Sequence, residues 1–240
     1  MNTREYLSVR RAYNLVRQQS ESAQRLTFEE FAILCRLEQI DGNTRLTEIA
    51  AYQNALRPTM AHRMDHLEKR GLIIRGIVPS DRRASWVTIS AKGLETVRLL
   101  ARQTLKEIGT TEPLGRSTPN RIIREVDAMG SIFLTAGELL LLALLETEDH
   151  AAQIGALVEA TGFLQPTTSM AVTRLEKENL VRRTSMRGGD GRRTTVAKFT
   201  ESGEARAEGL EKRIEKLVVR KDRRGARNAV ITNQEEQERS

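Results

Sequence analysis

At 240 residues the chain has room for one large domain or two ordinary ones. Its content of 39% hydrophobic, 30% charged and only 4% aromatic residues suits a soluble, helix-rich protein better than an aromatic-rich β-sandwich, and its single cysteine excludes a disulfide framework or a multi-cysteine zinc site. The net charge of +7 points toward a polyanion, while the longest apolar run, Leu139 to Leu145, is far short of the roughly 18 residues of a membrane span.

The first eleven residues hold Arg4, Glu5, Arg10 and Arg11 and no apolar signal core, so a cytoplasmic location and no membrane association are expected. Tyr6, Val9, Tyr13 and Val16 then trace the stripe of an amphipathic first helix. A second helix follows Thr27 with Phe31, Leu34 and Leu37 inward, and the turn Asp41-Gly42-Asn43 leads into a short helix burying Leu46, Ile49 and Ala50. Residues 51–55 form the turn of a helix-turn-helix whose next helix starts near Pro58 and buries Met60, Met64 and Leu67. Strand, turn and strand are read over Leu72–Val78, Pro79-Ser80-Asp81 and Ser85–Ile89, and a long helix with Leu94, Val97, Ala101, Leu105 and Ile108 closes the unit. Gly109 to Ser117, with its glycine, proline and polar residues, is the expected linker.

The same order then returns. A displacement of 108 residues lays Leu26-Thr27 on Leu134-Thr135, Leu37-Glu38 on Leu145-Glu146, Pro58-Thr59 on Pro166-Thr167, Leu67-Glu68-Lys69 on Leu175-Glu176-Lys177 and Arg75 on Arg183. The offset becomes 110 after Gly188–Gly191, the position of a hairpin tip, so that Ser90 and Gly93 answer Thr200 and Gly203. In this copy Thr118-Pro119 opens a first helix with the stripe Ile122, Val126, Met129 and Phe133. The other helices bury Leu139, Leu142 and Leu145, then Ile154, Leu157 and Val158, then Thr168, Val172 and Leu175, and finally Ala207, Leu210, Ile214 and Leu217. The implied organisation is residues 1–108 and 118–219 as two domains joined by 109–117, with a basic and then Gln/Glu-rich disordered tail over 220–240. The fold class expected is mainly α with small β-wings, two tandem winged helix-turn-helix domains forming a single-chain pseudo-dimer.

Charge is concentrated on two stretches. Residues 57–83 hold seven Lys/Arg against three Asp/Glu, and 165–198 hold eight against three, which leaves the rest of the chain net negative. These are the helix and wing that such a fold applies to duplex DNA. The candidate DNA-binding residues are therefore Arg57, Thr59, His62, Arg63 and His66 on the first recognition helix and Arg82 and Arg83 on its wing. Gln165, Thr167, Ser169 and Arg174, with Arg192 and Arg193, are their counterparts. Arginine can bridge guanine O6 and N7, glutamine can pair with adenine, and threonine can meet a thymine methyl or a phosphate.

The motifs Pro58-Thr59, Leu67-Glu68-Lys69-Arg70-Gly71-Leu72, Ser80-Asp81-Arg82-Arg83-Ala84 and Thr88-Ile89-Ser90-Ala91-Lys92-Gly93 resemble the MarR family of winged-helix transcriptional regulators. Pro166-Thr167, Leu175-Glu176-Lys177, Asp190, Arg192-Arg193 and Thr200–Gly203 repeat the resemblance, with a departure at Asn179 where the pattern has glycine. The tandem arrangement is similar to that of the two-domain staphylococcal accessory regulators. The resemblance implies a monomeric pseudo-dimer, in which residues 3–20 and 93–108 pack against 119–131 and 203–219, or a further homodimer, with a double-stranded DNA operator as its partner. It also implies room for a small-molecule effector, which the sequence does not identify.

Two other readings were open to the sequence. A tandem winged-helix scaffold that binds proteins would not need its charge gathered on helix and wing. An enzyme or metal site has only His62 and His66 at i, i+4, with no glutamate after His62 and no third ligand, so no catalytic residue, cofactor or metal is expected. Cys35, between Leu34 and Leu37, is expected in the core rather than as a redox sensor.

Overall fold

The computed structural model describes residues 1–21, 25–40, 42–78, 81–109, 112–187 and 193–220; the side chains of 78, 81–84, 186, 187 and 193 are not among those described. The first copy runs α1 (Thr3–Gln19), α2 (Phe28–Glu38), β1 (Thr44–Arg45), α3 (Leu46–Tyr52), α4 (Arg57–Lys69), β2 (Ile73–Val78), β3 (Asp81–Ile89) and α5 (Ala91–Glu107). The second repeats it as α6 (Pro119–Met129), α7 (Ala136–Leu145), β4 (Ala151–Gln153), α8 (Ile154–Thr161), α9 (Gln165–Lys177), β5 (Val181–Arg187), β6 (Arg193–Phe199) and α10 (Glu201–Glu215). The fold is α+β, with two tandem winged-helix units, each carrying one three-stranded antiparallel sheet of order β1-β3-β2 or β4-β6-β5.

Helix starts follow their caps. Thr27 and Thr135 each form a capping box, accepting from the N–H of Glu30 and Glu138 while those carboxylates reach back to the cap N–H. Ser90 and Thr200 cap α5 and α10 from the ends of the wings. The third strand of each sheet, β1 or β4, has no signature in the sequence, because two or three residues carry no periodicity to read. The first helix of the second copy also stops sooner than its stripe suggests: α6 ends at Met129 with Gly130 as cap, and Phe133 lies 55% exposed instead of inward.

A left-handed residue ends the recognition helix and turns the chain into each wing. Gly71 (φ 69°) does so after α4, and Asn179 (φ 54°) after α9. Asparagine tolerates this region, so the departure from glycine leaves the turn intact.

One contiguous apolar core runs through both copies. Tyr13 of α1 stacks on Phe31 at 4.9 Å and meets Phe28 edge-on at 5.6 Å, and its hydroxyl donates to the Leu26 carbonyl at 3.1 Å. On α2, Phe31 to Cys35 are all fully buried, and on α7 so are Leu139 to Leu142 and Leu144, so these two helices sit at the centre with apolar neighbours around them. Cys35 accordingly has no exposed surface, and burial pushes its thiol well above the ordinary range.

The copies are interleaved. Helix α6 packs on α2 and α5 of the first copy, while α1 packs on α5 and also reaches α7, α8 and α10 of the second. Arg11, Asn14 and Gln18 of α1 donate to the carbonyls of Glu159, Thr161 and Gly162 at 2.8, 2.8 and 2.6 Å, and Arg4 pairs with Glu146 at 2.6 Å. Glu112, within the connecting segment, accepts from Ser8 at 2.9 Å and from Arg11 at 3.1 Å, which ties that segment to α1. In the opposite sense, the hydroxyl of Tyr52 on α3 donates to the Asp127 carbonyl on α6, and Arg36 of α2 lies 3.5 Å from the Asp127 carboxylate.

Gly162 (φ 65°) must be glycine on two counts: an added Cβ would stand 2.6 Å from the Arg11 carbonyl oxygen, and the left-handed conformation costs an L side chain about 1–2 kcal/mol. Gly162→Ala is expected to lower the melting temperature by roughly 3–8 °C in a single transition; an unchanged melting temperature would show that α1 does not bear on the turn. Burial of Asp127 raises its pKa, a shift that Arg36 opposes. A carboxyl whose folded pKa is raised takes its proton before the unfolded chain does, so its contribution to stability improves as pH falls from neutral toward about 4. Asp127→Asn should therefore be at least as stable as wild type at pH 7, with the difference shrinking on acidification in denaturant titrations.

Candidate nucleic-acid interface

The two recognition helices, α4 and α9, lie on one side against the core and are open on the other. Met60, Met64 and Leu67 fix the inner face of α4, and Thr168, Ala171, Val172 and Leu175 that of α9. Arg57, Thr59 and His62 are exposed on α4, and Gln165, Thr167, Met170 and Arg174 on α9, while Ser169 is half-buried. Arg174 pairs with Glu178 one turn on, at 2.8 Å.

Two candidates from the sequence leave this open group. Arg63 is half-buried and donates to the side-chain carbonyl of Gln53 at 2.8 Å, and Gln53 in turn donates to the Glu29 carbonyl at 2.8 Å. The ring of His66 is drawn onto the Glu30 carboxylate that also belongs to the α2 capping box. Helical spacing put both on the outward face, but their partners come from α3 and α2, elements that pattern within α4 cannot locate. Both residues therefore brace α4 against the body of the first copy.

Arg82 and Arg83 follow Asp81 in the first, turnward part of β3 and Arg193 begins β6, but their side chains lie outside the described residues, as does Arg192 entirely. Asp190 and the glycine-rich tip around it are likewise outside. The 220–240 tail lies beyond the described residues from 221 onward.

Wing and helix are joined by a residue that no site motif singled out. Arg75 of β2 reaches Asp65 of α4 at 2.8 Å and Glu68 at 2.8 Å. Its counterpart Arg183 of β5 donates to the Ser169 carbonyl at 3.1 Å and the Thr173 hydroxyl at 2.5 Å, and stands 3.6 Å from Glu176. The repeat register pairs these two arginines, and that register was the available signal for their shared task. In the first copy the clamp engages two acids of α4, Asp65 and Glu68, while Arg57 extends from the start of that helix.

The copies differ in the cleft between the second and recognition helices. In the first, Glu30 and His66 bridge it. In the second, Glu138 turns to Arg206 at 2.6 Å, and Ala136, Gly137 and Ala171 stand where the first copy has Phe28, Glu29 and Arg63. A cavity of about 870 Å³ opens there, floored by Leu141, Leu175 and Leu180 and rimmed by Thr167 and Arg174. The hydrogen bonds of Thr135 and Arg206, strong enough to outweigh desolvation, hold the Glu138 carboxyl below its usual range.

Two models of the MarR family match the chain, over residues 26–85 and 121–193, together more than half of it. No curated protein matches the chain. Among solved structures it is similar to the transcriptional regulator PA4135, with 26% identity over 34% of this chain and 60% of that one and a TM-score of 0.32. It is also similar to BpsR of Bordetella bronchiseptica, whose DNA binding is regulated by 6-hydroxynicotinic acid, with 24% identity over 45% of this chain and 84% of that one and a TM-score of 0.36. The chain thus spans less than two thirds of the length of PA4135.

Because Arg75 and its two acids are partly exposed, Arg75→Ala is expected to cost under about 1 kcal/mol of stability. Its larger effect should be local, a severalfold faster amide exchange across β2 and the C-terminal half of α4. Exchange unchanged in both segments would show that this residue does not couple wing to helix.

Proposed function

The chain belongs to the MarR family, carrying its winged-helix domain twice in tandem, and from that premise we propose that it is a transcriptional regulator that binds a double-stranded operator as one chain. In this reading residues 1–108 and 118–219 are the two domains, 109–117 joins them, and α4 and α9 enter successive major grooves. The carrying observation is the placement of charge: helix and wing hold seven cations against three acids in one copy and eight against three in the other, and the remainder of the chain is net negative. A protein-binding scaffold needs no such concentration. The protein acts by binding rather than by catalysis, in the cytoplasm with its DNA.

Arg57, Thr59 and His62 read the first half-site, and Gln165, Thr167, Ser169 and Arg174 the second. Arg63 and His66 hold α4 in position for that contact. Arg82, Arg83, Arg192 and Arg193 follow the minor groove or the phosphates, a role that rests on sequence alone. Since the two faces differ, the operator is an imperfect palindrome with half-sites about one helical turn apart. The cleft beside α9 suits a small-molecule effector, which would share Thr167 and Arg174 with the DNA and so weaken the second head. One chain per operator is the simplest stoichiometry, with a further homodimer as the alternative.

Selection of bound sequences from random duplexes, followed by titration at two salt concentrations, tests this reading. Affinity should fall steeply between about 50 and 200 mM salt, one chain should occupy each asymmetric site, and Arg57→Ala and Gln165→Ala should each relax base preference in a different half-site by about 1–3 kcal/mol. Binding indifferent to both salt and duplex sequence would favour the scaffold instead.

A further inference from the structure

Two large leucines stand in solvent at equivalent places on the two recognition helices. Leu56, just before α4, is 77% exposed, and Leu164, just before α9, is 58% exposed. Neither is needed to anchor its turn, because the preceding Ala55 and Phe163 already pack on the core. Each also occupies an N-cap at which no side chain bonds the first turn. Among the described residues, every other helix of ten or more residues begins on a cap that does: Asn2, Thr27, Ser90, Thr118, Thr135 and Thr200. A polar cap is worth about 0.5–2 kcal/mol, so an exposed leucine forgoes that stabilisation and gains no burial in exchange.

The surrounding face makes the repetition more telling. Positions 57, 61, 62, 63, 65 and 66 all differ from their counterparts 165, 169, 170, 171, 173 and 174, whereas Leu-x-Pro-Thr is the same at 56–59 and 164–167. Two heads that share Thr59 and Thr167 but differ at Arg57 against Gln165 and His62 against Met170 carry the same exposed apolar group at the end of the helix that leads into a groove. In the major groove, the one apolar feature of a base edge is the C5-methyl of thymine.

We infer that Leu56 and Leu164 are specificity-determining residues, each packing on the C5-methyl of a thymine at the same position of its half-site. The inference rests on the DNA-binding reading above. It divides that reading in two: both heads take one common base through leucine and take different bases through Arg57, His62, Gln165 and Arg174.

The test uses a selected operator in which each thymine is replaced singly by uracil, which removes the methyl and leaves the pairing edge unchanged. One thymine per half-site should then matter, its replacement weakening wild-type binding about fourfold, the effect of uncovering one methyl group. Leu56→Ala should bind the unmodified duplex about as weakly and become insensitive to uracil in the first half-site only; Leu164→Ala should do the same in the second. Leu56→Ser, which restores a polar cap, should raise the melting temperature yet keep the binding defect, separating contact from folding. Wild-type binding indifferent to uracil at every thymine, or leucine variants that keep their uracil sensitivity, would overturn the inference while leaving DNA binding in place. Failure of the wild-type chain to select any duplex would overturn both.

Discussion

A helix leaves its last carbonyls without partners, and those of α8 receive their donors from the other copy of the repeat. Arg11, Asn14 and Gln18 lie at i, i+3 and i+7 on α1, one face of the helix, and that face meets the carbonyls of Glu159, Thr161 and Gly162. Directly after them comes the turn into α9. The orientation of the second recognition helix is thus referred to a helix more than 140 residues away in sequence. Tyr52 and Arg36 give the reciprocal hold, since they fix α3 and α2 of the first head to Asp127 on α6. Each head is braced by the other copy's first helix, so the separation of α4 and α9 is a property of the shared core and not of a linker. Glu112, held by Ser8 and Arg11, belongs to the same bracing.

Much of this was legible from residue spacing. Stripes such as Tyr6-Val9-Tyr13-Val16 are buried as read, and the constant offset between copies located both helix-turn-helix units and both wings. What escaped were features set by partners distant in sequence. Arg63 and His66 share helical phase with an outward face, and only the positions of Gln53 and Glu30 turn them back. The short strands β1 and β4 exist because β3 and β6 offer an edge at Val87 and Ala197, not because Thr44 or Ala152 favour extension by themselves. Helices α2 and α7 are marked in the sequence by three apolar residues each, and they are buried on nearly every side because helices from both copies surround them.

The clamps at Arg75 and Arg183 show how a repeat can preserve a task while its chemistry drifts. Both arginines extend from the first wing strand to the recognition helix, but one meets two carboxylates and the other a hydroxyl, a backbone carbonyl and a more distant acid. A planar guanidinium with five donors accepts either set without moving the strand. Asn179 replacing glycine at a left-handed turn is a change of the same kind.

Divergence of the two faces has a physical limit, and the cleft beside α9 marks it. Where Glu29 and Arg63 stand in the first head, Gly137 and Ala171 vacate the second, yet Leu67 and Leu175 keep their places beneath. The layer that packs on the central helices is retained because a cavity in it would cost several kcal/mol, while the layer above answers only to what it touches. A symmetric dimer of one short chain would have to change both heads at once. Two copies in one chain, braced rigidly through α1 and α6, are free to change one face while the core that sets their spacing stays the same.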